Sequence, residues 1–258
     1  DEFRKYKQIA PSDAKPDQEI RACELALEWQ RNPEAYKVEE LKDLNSKESD
    51  FSPAYGRDDF GVVFFTSSRD DASGNKTHGA TGQGFTDIFE SRIDKKSKWS
   101  TPLPVDGVNS EFEDGTPVFA GDYKEMYFTR CEAGKREQKG CVIMLSVKSG
   151  DTWGEPKNIG VLPDSLVAAH PAITPDGKTL YFVSDMAGGS GGKDIWVVTR
   201  SGNEWSKPTN LGPDINTSGN ELFPFVRDDG TLYFSSDGLI GMGGLDIFKA
   251  VPQPDGSW

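Results

Sequence analysis

Four tryptophans recur at an almost constant interval, and that interval limits the fold more than any other feature of the chain. Trp99, Trp153, Trp205 and Trp258 stand 54, 52 and 53 residues apart. Three lie in matching phrases: Trp-Ser-Thr-Pro at 99, Trp-Gly-Glu-Pro at 153 and Trp-Ser-Lys-Pro at 205. The latter two continue to Asn158-Ile159-Gly160 and Asn210-Leu211-Gly212. A second landmark is an Asp-Ile-aromatic triplet, found as Asp87-Ile88-Phe89, Asp194-Ile195-Trp196 and Asp246-Ile247-Phe248. A third is a turn leading into a strand, in which Pro175-Asp176-Gly177-Lys178-Thr179-Leu180-Tyr181-Phe182 matches Asp228-Asp229-Gly230-Thr231-Leu232-Tyr233-Phe234. Residues 121–128 are a looser copy, and the segment ending Val63-Phe64-Phe65 is looser still. Chance spacing of tryptophan would not keep the other landmarks in phase, so the chain is a tandem repeat of about 53 residues.

Each unit reads as four strands. In the third copy they cover residues 170–174, 179–184, 194–199 and the surroundings of Trp205, with a Pro-Asp-Gly turn and the glycine-rich loop 187–192 between them. Such tight turns join antiparallel neighbours. Four-stranded antiparallel units in tandem are the blades of a β-propeller. The fold class expected is therefore an all-β propeller, preceded by a short α-helical segment. The blades are 50–108, 109–162, 163–215 and 216–258. The last ends where its outer strand should begin, and six blades are expected in the full protein.

Composition agrees. Gly (28) and Pro (16) are abundant, as many short strands and turns require, and aromatics at 11% can supply a core. Apolar runs such as Val62-Val63-Phe64-Phe65 fall far short of the ~20 residues a membrane helix needs. The net charge of −13 argues against nucleic acid, whose phosphates require a basic face.

The first residues follow a different grammar. From Pro16 to Trp29, Ile20, Cys23 and Leu27 recur at helical spacing, with Leu25 and Trp29 a further pair. Pro16 suits a first helical turn, and Asp17 and Glu19 sit near the positive end of the helix dipole. Asn32-Pro33 stops the helix. An apolar helix face needs a partner, so Ile20, Cys23 and Leu27 are expected to be largely buried. Residues 1–34 read as the end of a helical array and 35–49 as a linker.

These residues resemble a known family. The Tyr-Phe-x-Ser-Asp strand after Pro-Asp-Gly-Lys is similar to the TolB-type (PD40, WD40-like) propeller repeat. The order of elements is similar to that of Bacteroidota envelope proteins joining tetratricopeptide repeats, a propeller and an OmpA-like domain. That order is the helix Cys23-Glu24-Leu25-Ala26 with Trp29 and Asn32-Pro33, then Leu44-Asn45-Ser46, Ser49-Asp50-Phe51-Ser52-Pro53-Ala54-Tyr55, Phe65-Thr66-Ser67-Ser68-Arg69 and blades ending in Trp-x-x-Pro. The resemblance implies a periplasmic, outer-membrane-associated component of the type IX secretion system. Its partners would be proteins of that envelope machinery, and peptidoglycan would be reached only through a domain outside these residues. No catalytic residues carry over from it.

The candidate chemistry is sparse. His78 and His170 come from different blades, and no zinc-type Cys or His spacing is present, so neither metal nor cofactor is expected. His170 reads as a hydrogen-bonded residue near the channel. Asp87, Asp194 and Asp246 could form an acidic ring for glycosidase chemistry or calcium, or could each accept backbone N–H groups of the loop before strand three. The second reading is preferred, because a catalytic pair needs unlike carboxylates facing one bond rather than one copied per blade. Asp151-Thr152-Trp153 lacks the Ser and Gly of a sialidase Asp-box, and Gly188–Gly192 and Gly241–Gly244 lack the Gly-Lys-Ser/Thr ending of a phosphate loop.

The chain is thus read as a protein-binding scaffold, not an enzyme, with a carbohydrate-binding or glycosidase-like propeller as the alternative. Loops between strands two and three share a face with the crossovers to the next blade, and rigid scaffolds carry their binding groups on loops. The candidate face comprises 70–86, 132–140, 186–193, 109–111 and 216–221, with Asn109, Ser110, Glu111, Lys135, Arg136, Asn216, Asn220 and Glu221 as its polar groups. Trp99, Trp153 and Trp205, with the three repeat-phase aspartates, are structural. The second blade has Val142 where the others have that aspartate. Cys131 and Cys141 flank the same loop on antiparallel neighbours, which predicts a disulfide if the compartment is oxidising and two free thiols if it is not. Cys23 is expected to be free.

Overall fold

In the computed structural model, which describes all residues except 14, 34–36, 73–81, 83 and 134–137, each copy of the repeat is one antiparallel sheet. The first holds β1 (Asp50–Tyr55), β2 (Val62–Ser67), β3 (Asp87–Arg92) and β4 (Leu103–Pro104). The second holds β5 (Glu113–Phe119), β6 (Glu125–Ala133), β7 (Gln138–Ser149), β8 (Thr152–Trp153) and β9 (Lys157–Asn158). The third holds β10 (Ala169–Ile173), β11 (Thr179–Ser184), β12 (Asp194–Ser201), β13 (Glu204–Trp205) and β14 (Thr209–Asn210). The fourth holds β15 (Glu221–Val226), β16 (Leu232–Ser236) and β17 (Asp246–Ala250). This is a propeller arrangement of four blades, preceded by helices α1 (Glu2–Ile9) and α2 (Lys15–Arg31).

The repeated tryptophans take equivalent places. Trp99, Trp153 and Trp205 pair with Ile93, Lys148 and Arg200 just where the outer strand begins. That strand is broken in two, and the proline of each Trp-x-x-Pro phrase gives the reason. Proline has no N–H to donate to the ladder. The chain therefore leaves strand three after the tryptophan and rejoins it further along, as β4, β9 or β14.

Apolar cores lie between blades. Val62, Phe64 and Ile88 of the first blade pack against Phe119, Met126, Phe128 and Met144 of the second. Tyr127 and Ile143 pack on Leu180, Phe182, Trp196 and Val198. Ala172, Val183 and Ile195 pack on Val226, Leu232 and Phe234. Two of the tryptophans reach back across a junction, while Trp99 packs on Val63, Phe65 and Phe89 of its own blade. Trp153 meets Phe64 at 6.2 Å between ring centroids, and Trp205 meets Tyr127 at 6.4 Å. Alternation along strands two and three supplies both faces of a blade at once, since successive side chains point to opposite sides. Burying seven to nine such side chains at each junction is what holds adjacent blades in place.

The helical segment differs from its sequence reading. An additional helix, α1, lies against α2, with Arg4 paired to Glu24 at 3.2 Å. The expected buried face of Ile20, Cys23 and Leu27 is corrected: Cys23 is exposed, Leu27 is 56% exposed and Ile20 is only partly covered. Instead α2 meets the fourth blade near its beginning, where Pro16 is buried and the Gln18 side chain donates to the Gly238 carbonyl at 2.7 Å.

Candidate functional site: the crossover face

The loops between strands two and three do share a face with the crossovers, and hydrogen bonds stitch the two together. Asp114 N–H donates to the Thr86 carbonyl, Ala168 N–H to Cys141 and Glu221 N–H to Lys193. Gly140 N–H likewise reaches the Asp164 carbonyl, and Gly192 N–H that of Gly219. The glycines are steric requirements here: a Cβ on Gly140 would lie 2.1 Å from the Leu166 carbonyl oxygen, and one on Gly191 would lie 2.4 Å from that of Thr217.

Several side chains expected to be presented on this face are turned inward. Asn216 and Glu221 are 2% and 0% exposed. The Asn216 amide clips one residue of strand three, accepting from Ile195 N–H at 2.8 Å and donating to its carbonyl at 2.9 Å. Asn109 does the same to Ile88, at 2.9 Å for each bond. Glu221 accepts from Thr217 N–H and Oγ1 and from Ser236 Oγ. Ser110 is spent on Asp114 through N–H and Oγ, and Asn220 on Asp237. A buried polar group must be hydrogen-bonded, and these residues meet that demand for the blade junctions rather than for a ligand. Glu111 remains exposed at the surface, while Lys135, Arg136 and His78 lie outside the described residues.

The crossover carboxylates feel opposite balances. Asp50 is only partly buried, so the raising effect of burial is outweighed by bonds from Ser67, Ser46 and Arg69, and its pKa falls below the usual value. Asp114 is deeply buried beside Arg130; there desolvation prevails over the arginine and Ser110, and its pKa is raised.

The repeat-phase aspartates hold the glycine-rich loops. Asp194 accepts from the N–H groups of Ser190 (2.5 Å) and Gly191 (3.1 Å) and from the Asn210 amide (2.7 Å). Asp246 accepts from Met242 N–H at 2.7 Å and Gly243 N–H at 3.2 Å. Asp87 is fully buried at the same phase. In the second blade Cys131 and Cys141 lie directly opposite one another and are joined by a disulfide.

Four residues line up on the inner strands, one per blade: Ser52, Thr116, His170 and Phe223, with φ of 50°, 53°, 49° and 51°. Each sits at a β-bulge and each precedes a proline, Pro53, Pro117, Pro171 or Pro224. Left-handed backbone is costly for such residues, and in three of the four the N–H meets an acceptor on the preceding blade. Thr116 N–H donates to Thr66 Oγ1 of the preceding blade at 2.7 Å, and His170 N–H to Thr129 Oγ1 at 2.9 Å. At the third junction the hydroxyl position is Val183, which has no acceptor. His170 takes over that duty: its Nδ1 accepts from Phe223 N–H at 3.3 Å, and its ring stacks on Phe223 at 4.0 Å. Burial, then the Lys193 charge, pushes its pKa down to about 4. The X-Pro recurrence was present in the sequence and is the signal that would have found this ring. Among the described residues no group of three or more His, Cys, Asp or Glu side chains could hold a metal ion.

Comparison with known proteins gives the fold. No known sequence family matches the chain, and no curated protein does. Among solved structures, a TolB protein from Agrobacterium tumefaciens aligns at 17% identity with a TM-score of 0.51, over 84% of this chain and 62% of its own. An α-L-arabinofuranosidase from Lactobacillus brevis aligns at 12% identity and TM-score 0.53, over 81% of this chain and 74% of its own. A thermostable family-43 glycoside hydrolase aligns at 13% and 0.52, over 82% and 71%. The chain thus spans under two thirds of the TolB protein's length. At these identities the shared property is the β-propeller fold, of which TolB-like propellers are one kind. The expectation that the chain is not an enzyme is corrected by the same comparison: two of these structures are glycoside hydrolases, so this fold does not separate binding from catalysis.

Proposed function

We propose that the chain is a protein-binding propeller of a bacterial cell-envelope assembly, and that partners engage the exposed tips of its crossover-face loops. The observation that carries this reading is how that face is built. Its loop bases are fixed by Asp194, Asp246, Asn109, Asn216 and the Cys131–Cys141 disulfide, while tips such as Glu111, Ala187 and Gly188 stand in solvent. Fixed bases reduce the ordering entropy that a loop loses on binding. Likeness to a TolB structure supports the envelope setting, and the disulfide supports an oxidising compartment such as the periplasm.

The finer reading follows the sequence resemblance. The protein would be a type IX secretion component of the kind represented by PorE, associated with the outer membrane, with residues 1–34 the end of a tetratricopeptide-type array. Co-purification of the intact protein from its native envelope tests it. Recovery of secretion-machinery proteins, lost when Glu111 and Ala187 are replaced by arginine, is the expected result; recovery unaffected by those changes argues against this face.

A second reading is favoured by the glycoside hydrolases that share the fold: a propeller that binds or cleaves carbohydrate. Glycan-array binding, or hydrolysis of aryl arabinosides by the chain with release of the free phenol, would establish it in place of the first.

A further inference from the structure

The second blade lacks both devices that fix loop bases elsewhere in the ring. Val142 stands at the phase of Asp87, Asp194 and Asp246. The crossover that follows, residues 159–168, contains no asparagine to do for Ile143 what Asn109 does for Ile88 and Asn216 for Ile195. The Cys131–Cys141 bridge occupies this loop base instead.

The bridge stands where the blade narrows. β5 begins at Glu113, which pairs with Cys131, and β9 reaches only Met144 and Leu145. Beyond the bridge β6 and β7 continue as a ribbon, with Ala133 opposite Gln138 and no third strand among the described residues. A two-stranded ribbon alone is marginal in water. Alternation turns Cys131 and Cys141 to the same side as Tyr127, Thr129 and Ile143, which face the third blade. On that side the crossover is tied to the base of the ribbon. Ala168 N–H donates to the Cys141 carbonyl at 2.8 Å, and Gly140 N–H to the Asp164 carbonyl at 3.0 Å. The bridge thus closes the ribbon and steadies the segment that enters the third blade.

Both cysteines are partly exposed. The blade's core lies further along the same strands, where Met126, Tyr127, Phe128 and Ile143 are fully buried. A disulfide within reach of a thiolate is open to exchange. What depends on this one is local, while the blade junctions are held by the buried side chains.

We infer that Cys131–Cys141 is a site of thiol–disulfide exchange, a reducible clasp on one loop base of the crossover face. Its co-reactant is an external dithiol, of the class of a protein Cys-x-x-Cys pair. One thiolate of the dithiol attacks a bridge sulfur and forms a mixed disulfide, and the displaced cysteine takes up a proton. The second thiol of the dithiol then displaces the other cysteine, which is protonated in turn. The dithiol leaves as a disulfide, and its two electrons and two protons remain on Cys131 and Cys141 as thiols. The ribbon and residues 164–168 are thereby released while the blades stay folded. An effect on partner binding rests on the reading of this face given above; the exchange and the release do not, and the experiment reads only those.

Dithiothreitol is the probe, added to the folded chain without denaturant. Thiols are trapped and counted by mass spectrometry, near-UV circular dichroism follows the fold, and amide hydrogen exchange maps the release. Trapped thiols are expected to rise from Cys23 alone to all three cysteines, at a rate proportional to reagent concentration and with the near-UV signal kept. Amides of 132–133, 138–141 and 164–168 should then exchange roughly tenfold faster or more, and those of 126–128, 143–145 and 180–183 as before. Cys131→Ser with Cys141→Ser should show the same pattern without reductant. A reduction rate that levels off as reagent rises, loss of the near-UV signal on reduction, faster exchange spread over all the blades, or unchanged exchange in the ribbon would each overturn the inference.

Discussion

His170 shows how a repeat changes one residue to repair another. Val183 removed the hydroxyl that the first two junctions use, and a histidine on the inner strand supplies an acceptor to Phe223 N–H instead. The acceptor must be neutral imidazole, and burial keeps it so down to a pKa of about 4 against 6.5 when unfolded. Between those values the unfolded chain binds the extra proton, so stability is complete above about pH 6.5 and falls as pH drops toward 4. The loss should amount to about 3 kcal/mol at most. Replacing His170 with leucine should lower stability at neutral pH and flatten this part of the pH profile, as urea midpoints between pH 4 and 7 will show; an unchanged slope would mean that another group titrates there. The sequence placed His170 by the channel from its position in the repeat. Its duty was not legible, because that depends on what Val183 lacks across a blade junction.

Among the elements, the crossovers bear more of the architecture than their loop-like sequences indicate. Replacing Asn216 with alanine strands the N–H of Ile195, leaves its C=O to Leu211 N–H alone and removes three hydrogen bonds. The expected loss is about 2–3 kcal/mol in chemical denaturation, and Asn109→Ala should lose a similar amount at the first junction. Ser110→Ala should lose less, since Asp114 keeps Arg130 at 2.7 Å. The Cys131–Cys141 bridge closes a short hairpin, so reduction or Cys131→Ser with Cys141→Ser should lower stability by roughly 2–3 kcal/mol. Thermal melts with and without reductant will measure it, and no difference would show that the hairpin is held by its ladder alone. Strand order, turn positions and the tryptophan corner were all legible, because each rests on local chemistry that repeats: Pro-Asp-Gly, alternation, Trp-x-x-Pro. The inward turn of Asn216 and Glu221 was not, because a polar residue in a glycine-rich connection reads as solvated until its backbone partner in the preceding blade is known. The exposed apolar flank of α2 escaped for the same reason: helical spacing identifies a face without identifying what covers it.

At the scale of the whole molecule, the blades form a rigid ring segment whose two broad faces differ in kind. One carries tight Asp-Gly-type turns, as at Asp122, Asp176 and Asp229, whose carboxylates cap their own turns. The other carries the crossovers and the longer, pinned loops. This asymmetry is why partner binding is proposed for the second face, and it is the claim on which the functional account depends. Its most direct test is site-specific photo-crosslinking in the intact native envelope. A photoreactive residue is placed singly at 111, 187 or 240 on the crossover face, and at 122, 176 or 229 on the turn face. The account predicts discrete adducts to one or a few proteins from the first set and none from the second. Adducts confined to the turn face, or none from either face, would contradict it.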